Sequence, residues 1–331
     1  MSLKVPVNAT YHEIINESAK AWENKRDANY HNYRKKWSSN PKNFILEEAP
    51  LHLDIEPTNR CNLKCPMCPR TVLLENDDNN FLQGVMDFSL YKKIIDEAVD
   101  IGVYSIKLNW LGEPLVHPQL CEMVSYAKKR GIIDVMFNTN GVLVTEEVII
   151  RLIEAGLDKI FFSFDSPFKD EYEKIRIGAR YDEVLANIKK VSEIKQRLGV
   201  DYPLTRVSMV LEDNKKYTLQ EYTNLFKDIV DVVAYVDYRS PEGNATNRIF
   251  DFACSQLWQR MIVAWDGEVT VCCVDSKKEY IVGHLTKNSL KEIWTNEKYD
   301  YIRSKHRLGK YYDIEMCRKC ELPLRAKDGS V

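Results

Sequence analysis

From Leu51 onward, short runs of alternating or β-branched residues keep giving way to longer stretches with apolar residues every three or four positions. The runs 51–56, 105–110, 134–139, 159–165, 204–211 and 232–239 read as strands, and the stretches near 89–101, 118–130, 145–156, 181–198 and 217–230 read as helices. Ser89 and Thr145 stand where helix N-caps belong, and Gly102, Gly131 and Gly156 stand where helices stop. Six β-α repeats in series predict a parallel sheet, doubly wound or curled into a barrel, with fewer repeats than a closed TIM barrel has. Upstream, residues 10–37 read as a helix opening on a capping box, Thr10-x-x-Glu13, with Tyr11, Ile14, Ile15, Ser18 and Trp22 along one face. Arg34-Lys35-Lys36, interleaved with Tyr30, Tyr33 and Trp37, read as a solvated helix face whose aromatics pack on the domain below. Residues 38–50 form a connector. Beyond Arg239 the rhythm stops.

Composition narrows the picture. A chain of 331 residues with 44% apolar content has room for one large α/β domain and a smaller module. A net charge of −2 supplies no general attraction to nucleic acid or an acidic membrane. No apolar run approaches the ~18 residues of a spanning helix. The start, MSLKVPVNATYHEII, lacks the pattern of a secretory signal. The nine cysteines therefore imply metal or redox chemistry in a reducing cytoplasm, not a disulfide framework. Three lie near residue 65 and five between 254 and 320, while Cys121 stands alone in a helical pattern as a small core residue.

The first group sits in EPTNRCNLKCPMCPR, Glu56 to Arg70, directly after the first strand. Cys61, Cys65 and Cys68 are spaced C-x3-C-x2-C. Thiolates this close together are metal ligands. Three of them around an iron–sulfur cube leave one iron open; a zinc completed by a distant residue, or a disulfide with a spare thiol, fits the same count. The loop resembles the cluster loop of radical S-adenosylmethionine (radical SAM) enzymes. That resemblance covers about residues 51–240 and implies a partial (β/α)6 TIM-type barrel. It also implies a [4Fe-4S] cluster whose open iron chelates the methionine moiety of S-adenosylmethionine (SAM).

The resemblance extends to the carboxyl ends of later strands. Gly112-Glu113-Pro114 corresponds to the segment that receives the methionine amino group. Asn140, in Thr139-Asn140-Gly141, lies in a turn that closes over the cofactor, or simply shapes that turn. Ser163 and Asp165 share one face of their strand and match positions that meet the ribose or the SAM carboxylate, although Asp165 is also placed to cap the turn before Pro167. Arg176 is a partner for the SAM carboxylate or an exposed arginine. Met67 stands where many members carry an aromatic residue and the backbone reads the adenine edge.

The second group contains a hairpin pattern, Ala264-Trp265-Asp266-Gly267-Glu268-Val269-Thr270-Val271-Cys272, turning at Asp-Gly. Neighbours on an extended strand point oppositely, so only one of Cys272 and Cys273 can face a metal. Residues 241–331 resemble the SPASM and shorter twitch modules of radical SAM enzymes. Cys254, Cys272, Cys317 and Cys320, spaced C-x17-C-x44-C-x2-C, resemble the twitch module of radical SAM aminocyclitol dehydrogenases and imply one auxiliary [4Fe-4S] cluster. A four-thiolate zinc is the other reading of this module alone.

Three domains follow: a helical extension over 1–50, the barrel over 51–240 and the cysteine-rich module over 241–331. The implied activity is radical abstraction of hydrogen from a small sugar or aminocyclitol-like molecule, with the auxiliary cluster accepting an electron and a flavodoxin or ferredoxin supplying the first one. Asp237 and Arg239, at the end of the sixth strand, are the candidate catalytic or substrate-positioning groups, or a rim ion pair. The competing readings are a peptide-modifying maturase and a non-catalytic, zinc-stabilised interaction protein. The extension of roughly 50 residues is short for a leader-peptide reader, which takes about 80.

Overall fold

The computed structural model describes residues 3–8, 10–76, 81–212, 215, 218–238 and 251–325. Six parallel strands alternate with helices as the patterning predicts: β2 (His52–Ile55), β3 (Ser105–Leu108), β4 (Asp134–Thr139), β5 (Lys159–Ser163), β6 (Leu204–Leu211) and β7 (Val232–Asp237). One face of each strand packs on the surrounding helices. Leu53 and Ile55, Ile106 and Leu108, Val135 and Phe137, Ile160 and Phe162, and Val207 and Met209 all join that core. The alternate positions, His52 and Asp54, Lys107 and Asn109, Asn138, Phe161 and Ser163, Arg206 and Ser208, therefore line the inside of a partial barrel.

The N-terminal segment departs from the expectation. Tyr11–Ile15 is a strand, β1, antiparallel to β7 with Tyr11 opposite Val236 and Ile15 opposite Val232. Thr10 and Glu13 form no capping box. The run YHEII carries β-prone Tyr and Ile, and it satisfies the backbone groups of what is otherwise the edge of the parallel sheet. Two helices follow, α1 (Glu17–Asn24) and α2 (Ala28–Lys42). The working cap is Asp27, which accepts from the Tyr30 amide at 2.8 Å, and α2 runs on to Lys42, into the start of the expected connector.

These helices close the barrel floor. Trp22, Tyr30 and Tyr33 are buried in one cluster with Leu51, Met136, Phe161, Leu204 and Val232, residues drawn from the entry of β2 round to β7. Lys159 Nζ donates to Asp134 at 2.6 Å and to the Tyr30 hydroxyl at 3.2 Å, and Ser105 Oγ donates to the Tyr33 hydroxyl at 2.9 Å. The aromatics between the basic residues are thus packed on the domain, as expected. Among the described residues the amino end of the barrel is packed shut, and a cavity opens at the carboxyl end.

Around the barrel lie α3 (Pro69–Glu75), α4 (Phe88–Asp100), α5 (Leu120–Arg130), α6 (Glu146–Glu154), α7 (Lys169–Ile175), α8 (Tyr181–Leu198) and α9 (Leu219–Phe226). Thr145 caps α6 through the Val148 amide. Ser89 does not cap α4; Asp87 does, accepting from the amides of Ser89 and Leu90, because a carboxylate two residues earlier reaches both.

The C-terminal module is welded to the same sheet. β8 (Arg260–Val263) runs parallel to β2, with His52 opposite Arg260 and Ile55 opposite Val263. β9 (Glu268–Thr270) returns antiparallel across the Asp266-Gly267 turn, and β10 (Ile281–His284) adds to it. Gly267 holds φ +95°, a conformation L side chains avoid. The sheet has ten strands in the order β1-β7-β6-β5-β4-β3-β2-β8-β9-β10. The change of pattern near residue 240 separates two rhythms, while β8 carries the barrel sheet on into the module.

Candidate active site

The cysteine loop is fixed from both sides before any cofactor is considered. Asn59 accepts the Gly84 amide at 2.8 Å, donates to Leu82 O at 2.7 Å, and offers its own carbonyl to Arg70 Nε at 2.6 Å. The loop after β3 lies directly on this backbone, with the Glu113 amide donating to Arg60 O at 2.9 Å. A Cβ on Gly112 would stand 2.0 Å from Thr58 O and 2.7 Å from Arg60 O, so only glycine permits that approach.

The buried Glu113 carboxyl joins this loop to the next. Oε1 accepts from Thr139 Oγ1 at 2.8 Å and from the Leu115 amide at 3.2 Å, and Oε2 accepts from the Asn140 amide at 2.7 Å. Burial pushes its pKa up to about 7, with these donors pulling the other way. Asn140 Nδ2 in turn donates to Asn62 Oδ1 at 2.8 Å and lies 3.9 Å from Cys61 Sγ.

On the far wall, Arg176 Nη1 lies 3.9 Å from Cys65 Sγ, while its Nε is bonded to Asp165 Oδ2. Burial alone would lower the guanidinium pKa, but the neighbouring Asp165 and Cys65 raise it. Asp165 Oδ1 accepts from the Val210 amide at 2.8 Å. Asp165 thus holds Arg176 from behind.

A cavity of about 250 Å³ results, lined by Cys61, Cys65, Cys68, Met67, Gly112, Glu113, Asn140, Ser163 and Arg176. These candidates come from four loops and meet in one place. Pro114 opens the short 3-10 turn Pro114–Val116 beside it. Sequence reading missed Arg70 and Asn138, which also line the cavity. Asn138 Oδ1 is buried with no partner, and the alternation that points Asn138 inward was the signal available.

The second cavity, about 450 Å³, is lined by Cys254, Cys272, Cys317 and Cys320 among apolar walls that include Leu73, Phe252 and Leu322. Cys273 is not among the lining residues: its Sγ lies 3.6 Å from Arg260 Nη2 and 3.8 Å from Gln256 Oε1, and the Trp110 indole donates to its carbonyl at 2.9 Å.

Burial raises the thiol pKa in both places: Cys65 to about 11, Cys254 to about 12, Cys61 upward and Cys317 far upward. For Cys272 the hydrogen bond with Cys273 acts first and burial second. Thiols held neutral by burial become good ligands once a cationic centre supplies the compensating charge. Among the described residues no three of these donors converge as ligands of a single ion would. The thiols instead stand around spaces of cluster size, and soft sulfur donors suit iron–sulfur centres. The residues present fit such groups.

The candidate catalytic pair fares differently. Leu211 and Asp237 are register partners, and Leu211 faces the helices, so Asp237 also points away from the barrel interior. Its carboxylate lies 3.6 Å from His12 Nε2 on β1, the strand missed in the sequence. Arg239 lies outside the described residues.

The radical SAM superfamily model matches residues 55–218, and the SPASM iron–sulfur cluster-binding domain model matches residues 254–321. The chain belongs to the radical SAM superfamily. This radical SAM enzyme accordingly takes SAM, a [4Fe-4S] cluster and an auxiliary cluster. A relative from Pyrococcus furiosus, the tungsten-containing aldehyde ferredoxin oxidoreductase cofactor-modifying protein, is 27% identical over 82% of this chain and 87% of its own length. A probable GTP 3′,8-cyclase from Methanococcus maripaludis is 34% identical, over 41% of this chain and 44% of that protein. The fold is shared with BtrN in complex with AdoMet and 2-DOIA, at TM-score 0.57 and 19% identity, covering 83% of this chain and 94% of BtrN. It is shared also with Streptococcus suis SuiB bound to precursor peptide SuiA, at TM-score 0.63 and 16% identity, covering 83% of this chain and 71% of SuiB. Among the described residues no helix is long and apolar enough to cross a membrane.

Proposed function

We propose that this radical SAM enzyme oxidises a small hydroxylated molecule, of sugar or aminocyclitol type, by hydrogen-atom abstraction. Cys61, Cys65 and Cys68 hold the first cluster, and Cys254, Cys272, Cys317 and Cys320 hold the auxiliary one. When bound, the first cluster and SAM supply methionine and a 5′-deoxyadenosyl radical that takes one hydrogen atom, and the auxiliary cluster supplies an acceptor for the electron left on the substrate once its hydroxyl proton departs.

The protein's part is to bind, orient and exclude water. Gly112 lets the loop after β3 lie against the cysteine loop, and Glu113 braces it to Asn140 while lining the space where the methionine amino group belongs. Met67 offers its backbone to the adenine, Ser163 faces the ribose, and Arg176, steadied by Asp165, faces the SAM carboxylate. A flavodoxin or ferredoxin is the expected electron donor.

The observation that carries the reading is the pairing of a three-thiol cavity with a four-thiol cavity across one short helix. The N-terminal segment supports a small substrate, because it plugs the barrel floor and extends the sheet. The second reading is a peptide maturase, favoured by the fold shared with SuiB and with anSMEcpe bound to AdoMet, the latter at TM-score 0.61. Anaerobically reconstituted protein, reduced and supplied with SAM, should release 5′-deoxyadenosine, and sugars rather than peptides should accelerate that release. Acceleration by peptides alone would favour the maturase, and absence of SAM cleavage would sink both.

A further inference from the structure

The inside of the barrel, below the SAM cavity, is polar and poorly neutralised. Lys107 sits one inward position before Asn109, and Arg206 sits one inward position before Ser208, the register partner of Ser163; Asn109 and Ser163 both line the SAM cavity. Arg260 comes in on β8 and reaches Cys273, the neighbour of Cys272 in the auxiliary cavity. These three cations thus share the inward face of the barrel sheet, and both arginines act electrostatically on Lys107.

The anions nearby do not balance them. Asp54 is shared, with Arg260 Nη1 at 3.0 Å and Lys107 Nζ at 3.9 Å. Asp134 is taken by Lys159, and Asp165 by Arg176. Burial lowers the pKa of both His52 and Lys107, with Asp54 pulling the other way. The Glu56 carboxyl is also buried, its pKa pushed up to about 7, and its oxygens accept the amides of Leu111 and Trp265. Arg206 has the Tyr11 hydroxyl at 3.0 Å and the Phe161 ring at 3.6 Å, and its nearest carboxylate, Glu13, is reached only through that hydroxyl, which donates to Glu13 Oε2 at 2.6 Å.

Orphan atoms mark the same space. Arg206 Nε and Arg260 Nε are buried donors without a partner, and Ser208 Oγ on β6 and Asn138 Oδ1 on β4 are buried and unpartnered, as is Asp134 Oδ1 at the start of β4. Buried polar groups are ordinarily satisfied, so a set of them on one inner wall marks groups held for a ligand. The two guanidinium N–H groups call for an oxyanion, and the amide oxygen and hydroxyl suit hydroxyl groups.

We propose that the substrate of this radical SAM enzyme is a hydroxylated molecule bearing a phosphate or carboxylate, whose oxyanion is held by Arg206, Lys107 and Arg260. The proposal rests on the proposed oxidation of a small hydroxylated molecule, and adds that the barrel interior receives it. Arg206 and Lys107 are then binding residues that fix which C–H bond meets the radical, and Asn138 and Ser208 orient the hydroxyl-bearing part. Within the sugar and aminocyclitol class, members carrying a phosphate or carboxylate are favoured over neutral ones.

The test uses the cluster-loaded enzyme with SAM, without reductant, titrated calorimetrically at constant ionic strength with glycerol 3-phosphate, glycerate and glycerol. At least one of the two anions should bind saturably and roughly tenfold or more tighter than glycerol. Binding of glycerol 3-phosphate alone assigns a phosphate, and binding of glycerate alone a carboxylate. Lys107→Met and Arg206→Gln should each weaken the anion about tenfold, while Arg206→Lys, which keeps the charge but loses the guanidinium fork and its unpartnered Nε–H, should weaken it less than Arg206→Gln does. Cluster absorbance and melting temperature verify each variant. Glycerol binding as tightly as both anions, no saturable anion binding, or unchanged affinity in both charge-removing variants would overturn the proposal. Release of 5′-deoxyadenosine is measured on the same preparation. If that release persists while anion binding is absent, only the anionic substrate is lost; if SAM is not cleaved, the enzymatic reading fails independently.

Discussion

Cys68 and Pro69 are consecutive in the chain, yet Cys68 lines the SAM cavity and Pro69 lines the auxiliary one. Cys68 is the N-cap of α3 and Pro69 its first residue, and Val72 and Leu73 of that helix continue the wall of the second cavity. Proline is suited to this position because its missing N–H is one the helix would leave unbonded. The partition between the cavities is therefore one rigid turn, which places two cofactors close together while keeping their ligand sets apart.

That separation predicts a split phenotype. Cys68→Ala should lose about half of the iron and sulfide and lower SAM cleavage by roughly a thousandfold or more, since the open-iron site would then lack a ligand. Cys317→Ala should lose a similar share of iron yet keep cleavage of SAM, with substrate oxidation abolished. Iron analysis, EPR and 5′-deoxyadenosine release on both variants would show it. Equal loss of SAM cleavage in both would contradict independent cavities.

Gly112 bears on geometry alone. An added methyl would stand 2.0 Å from the Thr58 carbonyl, which belongs to backbone pinned near Gly84 and cannot rotate away. Gly112→Ala should cost roughly 1–3 kcal/mol in stability and weaken SAM binding about tenfold or more. Denaturant unfolding and SAM titration measure the two effects separately.

Glu56 joins three elements, accepting from Leu111 at 3.0 Å on the loop after β3 and from Trp265 at 3.3 Å in the module hairpin, while itself directly following β2. Burial raises its pKa from 4.5 to about 7. The folded state therefore binds a proton that the unfolded chain releases between these values. Stability should fall as pH rises through that window, by up to roughly 3 kcal/mol from this group, and level off above it. Glu56→Gln, which stays neutral, should flatten that slope. An unaltered pH dependence of the urea midpoint between pH 4.5 and 7 would refute the assignment.

The barrel and much of the site were legible because their signals are local. Strand alternation, Thr145 and the Asp266-Gly267 turn each act within a few residues, and Cys61, Cys65 and Cys68 sit on one loop. What escaped depends on partners distant in sequence. Tyr11–Ile15 has a helix-like apolar spacing and becomes a strand only because the β7 edge is open to it. Asp165 reads as a ligand-facing residue until Arg176 and the Val210 amide claim its oxygens. The extension of the barrel sheet by β8 depends on Arg260 registering with His52 across more than two hundred residues of chain.

Arg176 and Asp165 form a buried pair, so the two ends fail differently. Arg176→Ala strands a buried carboxylate and should cost about 3–5 kcal/mol. Arg176→Lys keeps a charge near Asp165 but loses the fork that also reaches toward Cys65, and should weaken SAM binding with a smaller effect on folding. Urea unfolding alongside SAM titration distinguishes them; identical losses from both substitutions would mean that charge alone matters there.

Asp237 offers the converse test, of a residue that strand parity turns away from the chemistry. It shares a face with Tyr235 and Val233 on β7, and its register partner Leu211 is buried against the outer helices. Its visible partner is His12, 3.6 Å away at a partly exposed position on β1, where an ion pair contributes less than about 1 kcal/mol. Asp237→Asn should therefore leave SAM cleavage and substrate turnover within about twofold of the parent and shift the melting temperature only slightly. A loss of turnover of roughly a hundredfold with folding intact would place this carboxylate in the reaction after all, and would require β7 to turn its Asp237 face inward when substrate binds.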